Sequence, residues 1–375
     1  MLNWIFGGAL FLTVYTYLLF PILLFLITKL KRTEAEEIQR QECRPNVAMI
    51  CSVFNEEKVI RKKIDNFLSI KYDGHLRLYI GSDGSTDGTN NIIREFEDNE
   101  RIFFFEFPRR GKVYVINDLM ARVHEDFVVF TDANSMFEPD AVIKLLKGFT
   151  SSHIGVVCGR LKLVSAGRIT GEGFYWKYET AIKKKESLLN CVIGANGAIY
   201  AIRNELLKPL PINVINDDFT NSMRVVEKGY GIKYAEDAVA CEEVNQDDKV
   251  EFRRHIRDGA GHYRAIINLW GLLNPFKPKA FFLYVSHRLL RWLVPFFLII
   301  MLCLPPFMKM GPVLETIYAA ELVFYLLAIL AWLTKTKKSL MYYPYYLVYV
   351  NLALFVGFLK NILGLQKVTW ISTER

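Results

Sequence analysis

The chain opens on an apolar run with no charged side chain between Met1 and Thr28. A helix needs about 20 apolar residues to cross a bilayer core, so Trp4–Ile27 is predicted to span one. Shorter apolar runs then alternate with helical spacing. Val47–Phe54 reads as a strand, and Glu56–Leu68 sets Val59, Ile60, Ile64, Phe67 and Leu68 on one helical face. Strand Leu76–Ile80 precedes helix Asn90–Phe96. Strand Ile102–Phe107 precedes a helix from Arg109-Arg110-Gly111-Lys112 to about Val123. Strand Phe127–Thr131 precedes a helix opened by Glu138-Pro139-Asp140, with Pro139 near its first turn. A strand Val156–Val164, a long helix Thr170–Leu189 and a strand Ile199–Ile202 follow. Helix Asn216–Lys228 stops at Gly229, Ile232–Ala235 is a short strand, and Val250–Ile267 is a basic helix. Such alternation predicts an α/β fold on a mainly parallel sheet.

Past Pro275 the pattern turns apolar again. Pro278–Leu290, with Lys279, His287 and Arg288 among aromatics, reads as a helix lying in the membrane interface. Trp292–Met308 and Pro312–Leu333 read as spans. Leu340–Leu359 is a last apolar stretch whose tyrosines suit an aromatic belt. The predicted organisation is an anchor over 1–30, a globular unit over 46–275, and an interfacial helix, spans and tail over 276–375.

With 52% hydrophobic residues in 375, the chain is too apolar for an ordinary soluble enzyme. A signal peptide is disfavoured by the length of the first run and the lack of a basic start or small-residue cleavage site. Lys29, Lys31 and Arg32 follow that run, so the N-terminus is expected outside and the globular unit in the cytoplasm, at a plasma membrane such as the bacterial inner membrane. Residues 33–45 form a polar connector. At the other end, counting spans places the C-terminus outside, whereas Lys360, Lys367 and Arg375 favour the inside. Glu315 can reach the interface, and Glu321 is expected to face protein or water. The net charge of +8 suits an anionic leaflet, and no basic-aromatic motif points to nucleic acid. The six cysteines form no CxxC pair and read as reduced thiols rather than a zinc site or disulfide frame.

The chemistry gathers at strand ends. Asp83 closes a strand among glycines and hydroxyls, where open α/β sheets bind ligands. Asp132 and Asn134 offer hard oxygens two residues apart, suited to Mg²⁺ or Mn²⁺ shared with phosphates. Arg257 can meet diphosphate oxygens with forked hydrogen bonds, and Lys112 adds a point charge. Asp217-Asp218 supplies a carboxylate able to take a proton from a hydroxyl. Together these support displacement at a sugar carbon with a nucleoside diphosphate leaving. Blander readings stand beside them. Asp87 and Asp217 can be caps, Arg253 and Arg254 a charged face, and His255 and His262 ordinary half-buried histidines.

These motifs, in order, resemble the membrane-anchored family 2 glycosyltransferases with a GT-A fold, a nucleotide-diphospho-sugar transferase fold with a Rossmann-like sheet. The residues that carry the resemblance are Asn55-Glu56-Glu57, Asp83-Gly84-Ser85-Thr86-Asp87-Gly88-Thr89, Arg110-Gly111-Lys112 and Thr131-Asp132-Ala133-Asn134. Gly194-Ala195-Asn196-Gly197-Ala198, Asp217-Asp218-Phe219, Gly229-Tyr230-Gly231, Arg253-Arg254-His255-Ile256-Arg257 and the tail Trp370–Arg375 continue it. The resemblance implies donor binding by Asn55, Glu56, Asp83, Lys112, Asp132 and Arg257, with Asp83 on uracil or ribose. It implies a metal on Asp132 and Asn134, and a donor or acceptor pocket at Asn196, Gly197 and Asp217. Asp218 becomes the general base of an inverting transfer from a UDP-sugar to a lipid-linked or glycan acceptor at the membrane, in cell-surface polysaccharide or glycolipid synthesis. Two positions depart from the pattern. Asn134 stands where a second Asp is usual, and Arg254-His255-Ile256-Arg257-Asp258 replaces the Gln-x-x-Arg-Trp of processive synthases. Single-sugar transfer is therefore expected, with a processive β-glycan synthase and a non-catalytic sugar-nucleotide-binding subunit as rivals.

Overall fold

The computed structural model describes residues 1–30, 44–164, 171–243, 248–335 and 340–366. Most of the 33–45 connector, Lys31, Arg32, Lys337, Lys338, Lys367 and the tail Trp370–Arg375 lie outside the described residues. The first apolar run is a helix over Leu2–Leu30, built from α1 (Leu2–Val14) and α2 (Phe20–Leu30) through a π turn. Eight strands follow: β1 (Val47–Val53), β2 (Leu76–Asp83), β3 (Ile102–Phe107), β4 (Phe127–Thr131), β5 (Met136–Phe137), β6 (Ile154–Val164), β7 (Tyr200–Arg203) and β8 (Gly231–Glu243). Between them run α3 (Ile60–Leu68), α4 (Thr89–Arg94), α5 (Lys112–Met120), α6 (Ala141–Lys147), α7 (Gly171–Leu188) and α8 (Asp217–Glu227). After β8 come α9 (Asp248–Asn268), α10 (Pro278–Tyr284), α11 (Leu290–Cys303), α12 (Pro312–Thr334) and α13 (Tyr342–Ile362).

The strands form one sheet in the order β3-β2-β1-β4-β7-β6-β8-β5. Its β3-β2-β1-β4 half is parallel, as expected. The other half is mixed, because β7 runs antiparallel to both β4 and β6, and β5 antiparallel to β8. Every residue of β1 is buried. Val47, Met49, Cys51 and Val53 join one core cluster, while Ala48 and Ile50 join the other, so both faces of the sheet are covered. Register aligns the business ends: Val53 pairs with Ser82, and Cys51 pairs with both Ile80 and Thr131. The loops after β1, β2 and β4 therefore leave from one edge. Tyr200 pairs with Phe130, so the turn entering β7 arrives at that same edge.

Two expectations are corrected here. The short strand at Ile232–Ala235 is the start of a 13-residue strand. Charged Glu236 and Asp237 break its apolar run, and pairing with β6 jumps from Ala235 to Val239 across a bulge. Nor is Pro278–Leu290 a separate interfacial helix. It is the first half of one helix over Pro278–Cys303, with Pro295 inside and a π turn at Val285–Leu289. His287 and Arg288, expected among headgroups, are turned into the protein instead.

Among the described residues, four helices are long and apolar enough to cross a membrane: Leu2–Leu30, Pro278–Cys303, Pro312–Thr334 and Tyr342–Ile362. The first two run antiparallel. Phe6 and Ala9 pack with Met301 at one end, and Phe20 meets Phe282 at the other. At that second end the core is continuous, since Phe20, Leu24, Leu283, Tyr284 and Trp292 share a cluster with Ile50 and Val128. Glu321 meets protein, through the Tyr325 hydroxyl one turn on.

The last helix lies along α9 rather than apart from it. Phe252 touches Tyr349, Tyr263 touches Phe358, and Arg264 Nε donates to Asn361 Oδ1 at 2.7 Å. Numbers rise together, so the two helices are parallel. Gly357 permits the approach: a Cβ there would lie 2.5 Å from the Ile256 carbonyl and 2.8 Å from the Ala260 nitrogen. Gly357→Ala is expected to cost about 1–3 kcal/mol through this overpacking, read as a lower thermal unfolding midpoint in detergent.

Candidate active site

The loop after β2 is tied to its neighbours. Thr86 N donates to Asn55 Oδ1 (2.8 Å), Asn55 N to Ser85 Oγ (3.1 Å) and Glu56 N to Thr89 Oγ1 (2.8 Å). Asn55 takes a positive φ of 53° to make this turn, a conformation asparagine tolerates. Asp87 holds the turn before α4 by accepting from Thr89 N and Oγ1, in line with its bland reading. Asp83 is fully buried. Its oxygens accept from Arg110 N (2.7 Å) and Gly111 N (2.9 Å) and pair with the Arg109 guanidinium. The structure thus uses Asp83 to brace the 109–111 turn and does not bring it to the other acids. Gly84, at φ 67°, lets that turn close in: a Cβ would sit 2.8 Å from Arg109 N. Arg109 was legible only as a helix opener. It lies over the Phe54 ring at 3.4 Å and is the partly exposed charge at this mouth.

The other acids do converge. Lys112, at the start of α5, reaches Asp132 Oδ1 at 3.0 Å and Asp217 Oδ1 at 3.2 Å. Burial works against its charge, but Asp132 and Asp217 outweigh it and raise its pKa above the ordinary lysine value. Asp132 feels burial too, yet Lys112, Lys63 and Arg257 hold its carboxyl below the usual range. Asp218 goes the other way. Burial, then the charge of Asp217, push it up to about 7, against the pull of Lys112 and a hydrogen bond from Phe219 N. Adjacent carboxylates with opposite shifts are a common sign of divided roles. Gly197 lies between the acids: a Cβ there would be 3.0 Å from Asp132 Oδ2 and 3.6 Å from Asp218 Oδ2. Asn196 shapes the same turn by accepting from Ile199 N at 3.3 Å. Arg257 Nε is buried without a hydrogen-bond partner, while Nη2 reaches Asp258 at 3.4 Å.

The oxygens gathered here bear on a divalent cation. Asp132 and Asp218 turn oxygens towards the side-chain-free face of Gly197, and half-buried Asn134 lies two residues beyond Asp132. Among the described residues no three His, Cys, Asp or Glu side chains are placed to hold a metal alone. The set fits a hard cation that takes its remaining oxygens from water or phosphate.

One buried group here was missed. Lys63 is 1% exposed. Its Nζ donates to Thr131 Oγ1 (2.7 Å) and the Ser135 carbonyl (2.5 Å), and Thr131 Oγ1 donates to the Ala198 carbonyl (3.1 Å). Burial lowers its pKa to about 8. It underpins the Asp132 turn from below. The signal was present, since Lys63 falls within the apolar stripe Ile60, Ile64, Phe67 of α3. His262 stacks on Trp292 at 4.7 Å and is held down at about 4, chiefly by burial, as an ordinary core histidine would be. The five described cysteines are all free.

The chain is similar to known proteins over much of its length. Poly-beta-1,6-N-acetyl-D-glucosamine synthase of Staphylococcus epidermidis is 23% identical over 248 residues, covering 64% of this chain and 59% of that protein. Its counterpart in Staphylococcus aureus (strain COL) is 22% identical over 247 residues, with the same coverage. The chain therefore matches somewhat over half the length of these relatives. Among solved structures, a mannosyltransferase from Pyrobaculum calidifontis in complex with GDP-Man and Mn²⁺ superposes with a TM-score of 0.72 at 21% identity. That match covers 96% of this chain and 99% of the other, so the fold is GT-A. Residues 49–204 match the model of glycosyl transferase family 2. Residues 127–358, well over half of the chain, match that of glycosyl transferase family group 2, and the chain belongs to this family of glycosyltransferases.

Proposed function

We propose that the chain is an inverting glycosyltransferase that moves a single sugar from a UDP-sugar to a lipid-linked or membrane-proximal acceptor in cell-surface polysaccharide or glycolipid synthesis. The observation that carries this is the pairing of Asp218, held near pKa 7, with Asp132, held low, across the bare face of Gly197. Asp218 takes the proton of the acceptor hydroxyl, and that oxygen attacks the anomeric carbon opposite the leaving diphosphate. From an α-linked donor the product is a β-glycoside. Arg257 and Lys112 face the diphosphate, and the loop knitted by Asn55 and Glu56, with the 109–111 turn braced by Asp83, forms the nucleoside end of the donor site. Asp217, Asn196 and Gly197 shape the sugar pocket. Asp132, with Asn134, would hold Mg²⁺ or Mn²⁺, which when bound supplies charge to offset the departing diphosphate.

The globular unit over 46–275 would be cytoplasmic, and the core it shares with Leu2–Leu30 and Pro278–Cys303 supports a site close to the bilayer. A processive reading has one observation in its favour, the polymer synthases among the relatives. The test uses the full chain in detergent with Mn²⁺, a panel of UDP-sugars plus GDP-mannose, and host lipid extract. Nucleotide release with a one-sugar mass increment is expected. A ladder of masses would move the assignment to the processive reading, and no release with any donor would remove the transferase reading.

A further inference from the structure

The turn that carries Gly197 is held from the Pro278–Cys303 helix. Ile193 is the anchor point. Its N–H donates to Glu186 Oε2 at 3.0 Å, and its carbonyl accepts from Arg288 Nε at 3.1 Å and Nη2 at 3.0 Å. Arg288 Nη2 also reaches Glu179 Oε1 at 2.5 Å. Glu179 accepts from Arg291 Nη1 at 2.9 Å, and His287 bridges Glu186 (2.6 Å) and Glu179 (3.3 Å). Both glutamates and His287 are buried. Burial alone would raise Glu179, but Arg288, His287 and Arg291 hold it well below the carboxylate range. Ion pairs buried inside a protein hold their geometry, because breaking one leaves an uncompensated charge behind.

The turn then passes this constraint to the acids. Gly194, at φ 91°, lies against Phe219: a Cβ there would be 2.4 Å from the ring. Ala195 N donates to Ser222 Oγ at 3.0 Å. Phe219 directly follows Asp218, its ring meets Trp292 at 5.5 Å, and Arg288 lies 6.0 Å above it. Arg288 thus touches the peptide four residues before Gly197 and the ring next to Asp218.

We propose that Arg288 is a positioning residue for transfer, which from the Pro278–Cys303 helix sets the 193–197 turn and Phe219 so that Asp132 and Asp218 face one another across Gly197. This rests on reading the acid cluster as the transfer site. The Pro278–Cys303 helix is then part of the catalytic apparatus and not merely an anchor. A lysine at 288 keeps the charge beside Glu179 but cannot fork onto the Ile193 carbonyl.

The test compares wild type, Arg288→Lys and Arg291→Lys as full chains in detergent. Arg291 reaches the same Glu179 through Nη1 at 2.9 Å and serves as control. In Arg288→Lys, kcat is expected to fall about 10–100-fold while KM for the nucleotide sugar stays within about threefold. Arg291→Lys should stay within about threefold in both. Hydrogen exchange of residues 190–199 should quicken at least about tenfold in Arg288→Lys, with α8 and the Pro278–Cys303 helix still protected. Unchanged exchange of the turn, or unchanged kcat, overturns the proposal. If wild type transfers nothing but the turn still loosens, the brace stands and the transferase reading falls. Should Arg288→Lys not accumulate folded, Arg288→Gln, which keeps one N–H for Ile193, is read the same way.

Discussion

Asp218→Asn is expected to lower turnover by about a thousandfold, the scale of a lost general base, while leaving the donor bound. Asparagine keeps the size of the side chain and accepts from Phe219 N as Asp218 does at 2.7 Å, so the loss would be chemical. Wild-type turnover should climb with pH through about 7, where Asp218 gives up its proton. Stability should move the opposite way. A carboxyl raised above its ordinary value holds its proton more tightly in the folded chain. Its favourable contribution is complete below pH 4 and is lost as pH rises towards about 7. Asp218→Asn removes that loss. The variant should unfold at a higher temperature than wild type at pH 8 and at a similar one near pH 4, a gain on the order of 1 kcal/mol. Kinetics across pH 5.5–8.5 and thermal unfolding at both ends would check this. A variant that turned over like wild type would remove Asp218 from the base role.

Lys112→Met carries the second large effect. Lys112 bridges Asp132 and Asp217 and also pulls on Asp218. Without it three carboxylates share a largely buried space, and only Asp132 still feels Lys63 and Arg257. Removing one partner of a buried charge pair costs about 3–5 kcal/mol, and partial exposure of Asp132 reduces this to about 2–3. Protonation of the acids relieves the repulsion, so the deficit should shrink from pH 8 to pH 5. Any residual turnover should rise at a higher pH than in wild type, because Asp218 loses the charge that draws it down. Lys112→Arg, which restores a cation, should recover most of the stability. Unfolding midpoints at the two pH values decide the matter. A variant equally stable at both would show that the lysine carries no such load.

The sheet edge was readable because its signals are local. Strands β2 and β4 announce themselves by an apolar run meeting Asp83 or Asp132, Asp217-Asp218 by an acidic helix start, and parallel pairing aligns the ends of β2, β1 and β4. What the sequence could not convey was direction and distant pairing. Asp83 reads as a ligand-facing acid, yet its oxygens turn inward onto peptides of residues 110 and 111. His287 and Arg288 read as headgroup anchors, because Glu179 and Glu186 lie about a hundred residues earlier and nothing local marks the pairing. The second half of β8 was hidden by Glu236 and Asp237, and the charge of Glu236 is met by Arg160 and Lys184 from other elements. Lys63 was the exception, a visible irregularity in an apolar stripe that was passed over.

The close pair of α9 and α13 also fixes an order of assembly. Arg257 is made early, on a helix clipped to Asn216 through the Asp258 carbonyl. Its neighbour Arg264 is held by Asn361 and by the Gln366 carbonyl, 97 and 102 residues later. Chains grow from the N-terminus, and units form as they emerge. The sheet and its acids can therefore close while synthesis continues, but α9 gains its second clamp only after the last helix has left the ribosome. In the transfer reading, the arginine-bearing helix beside the acids is therefore completed only once α13 has been made, after the sheet that carries the acids can close.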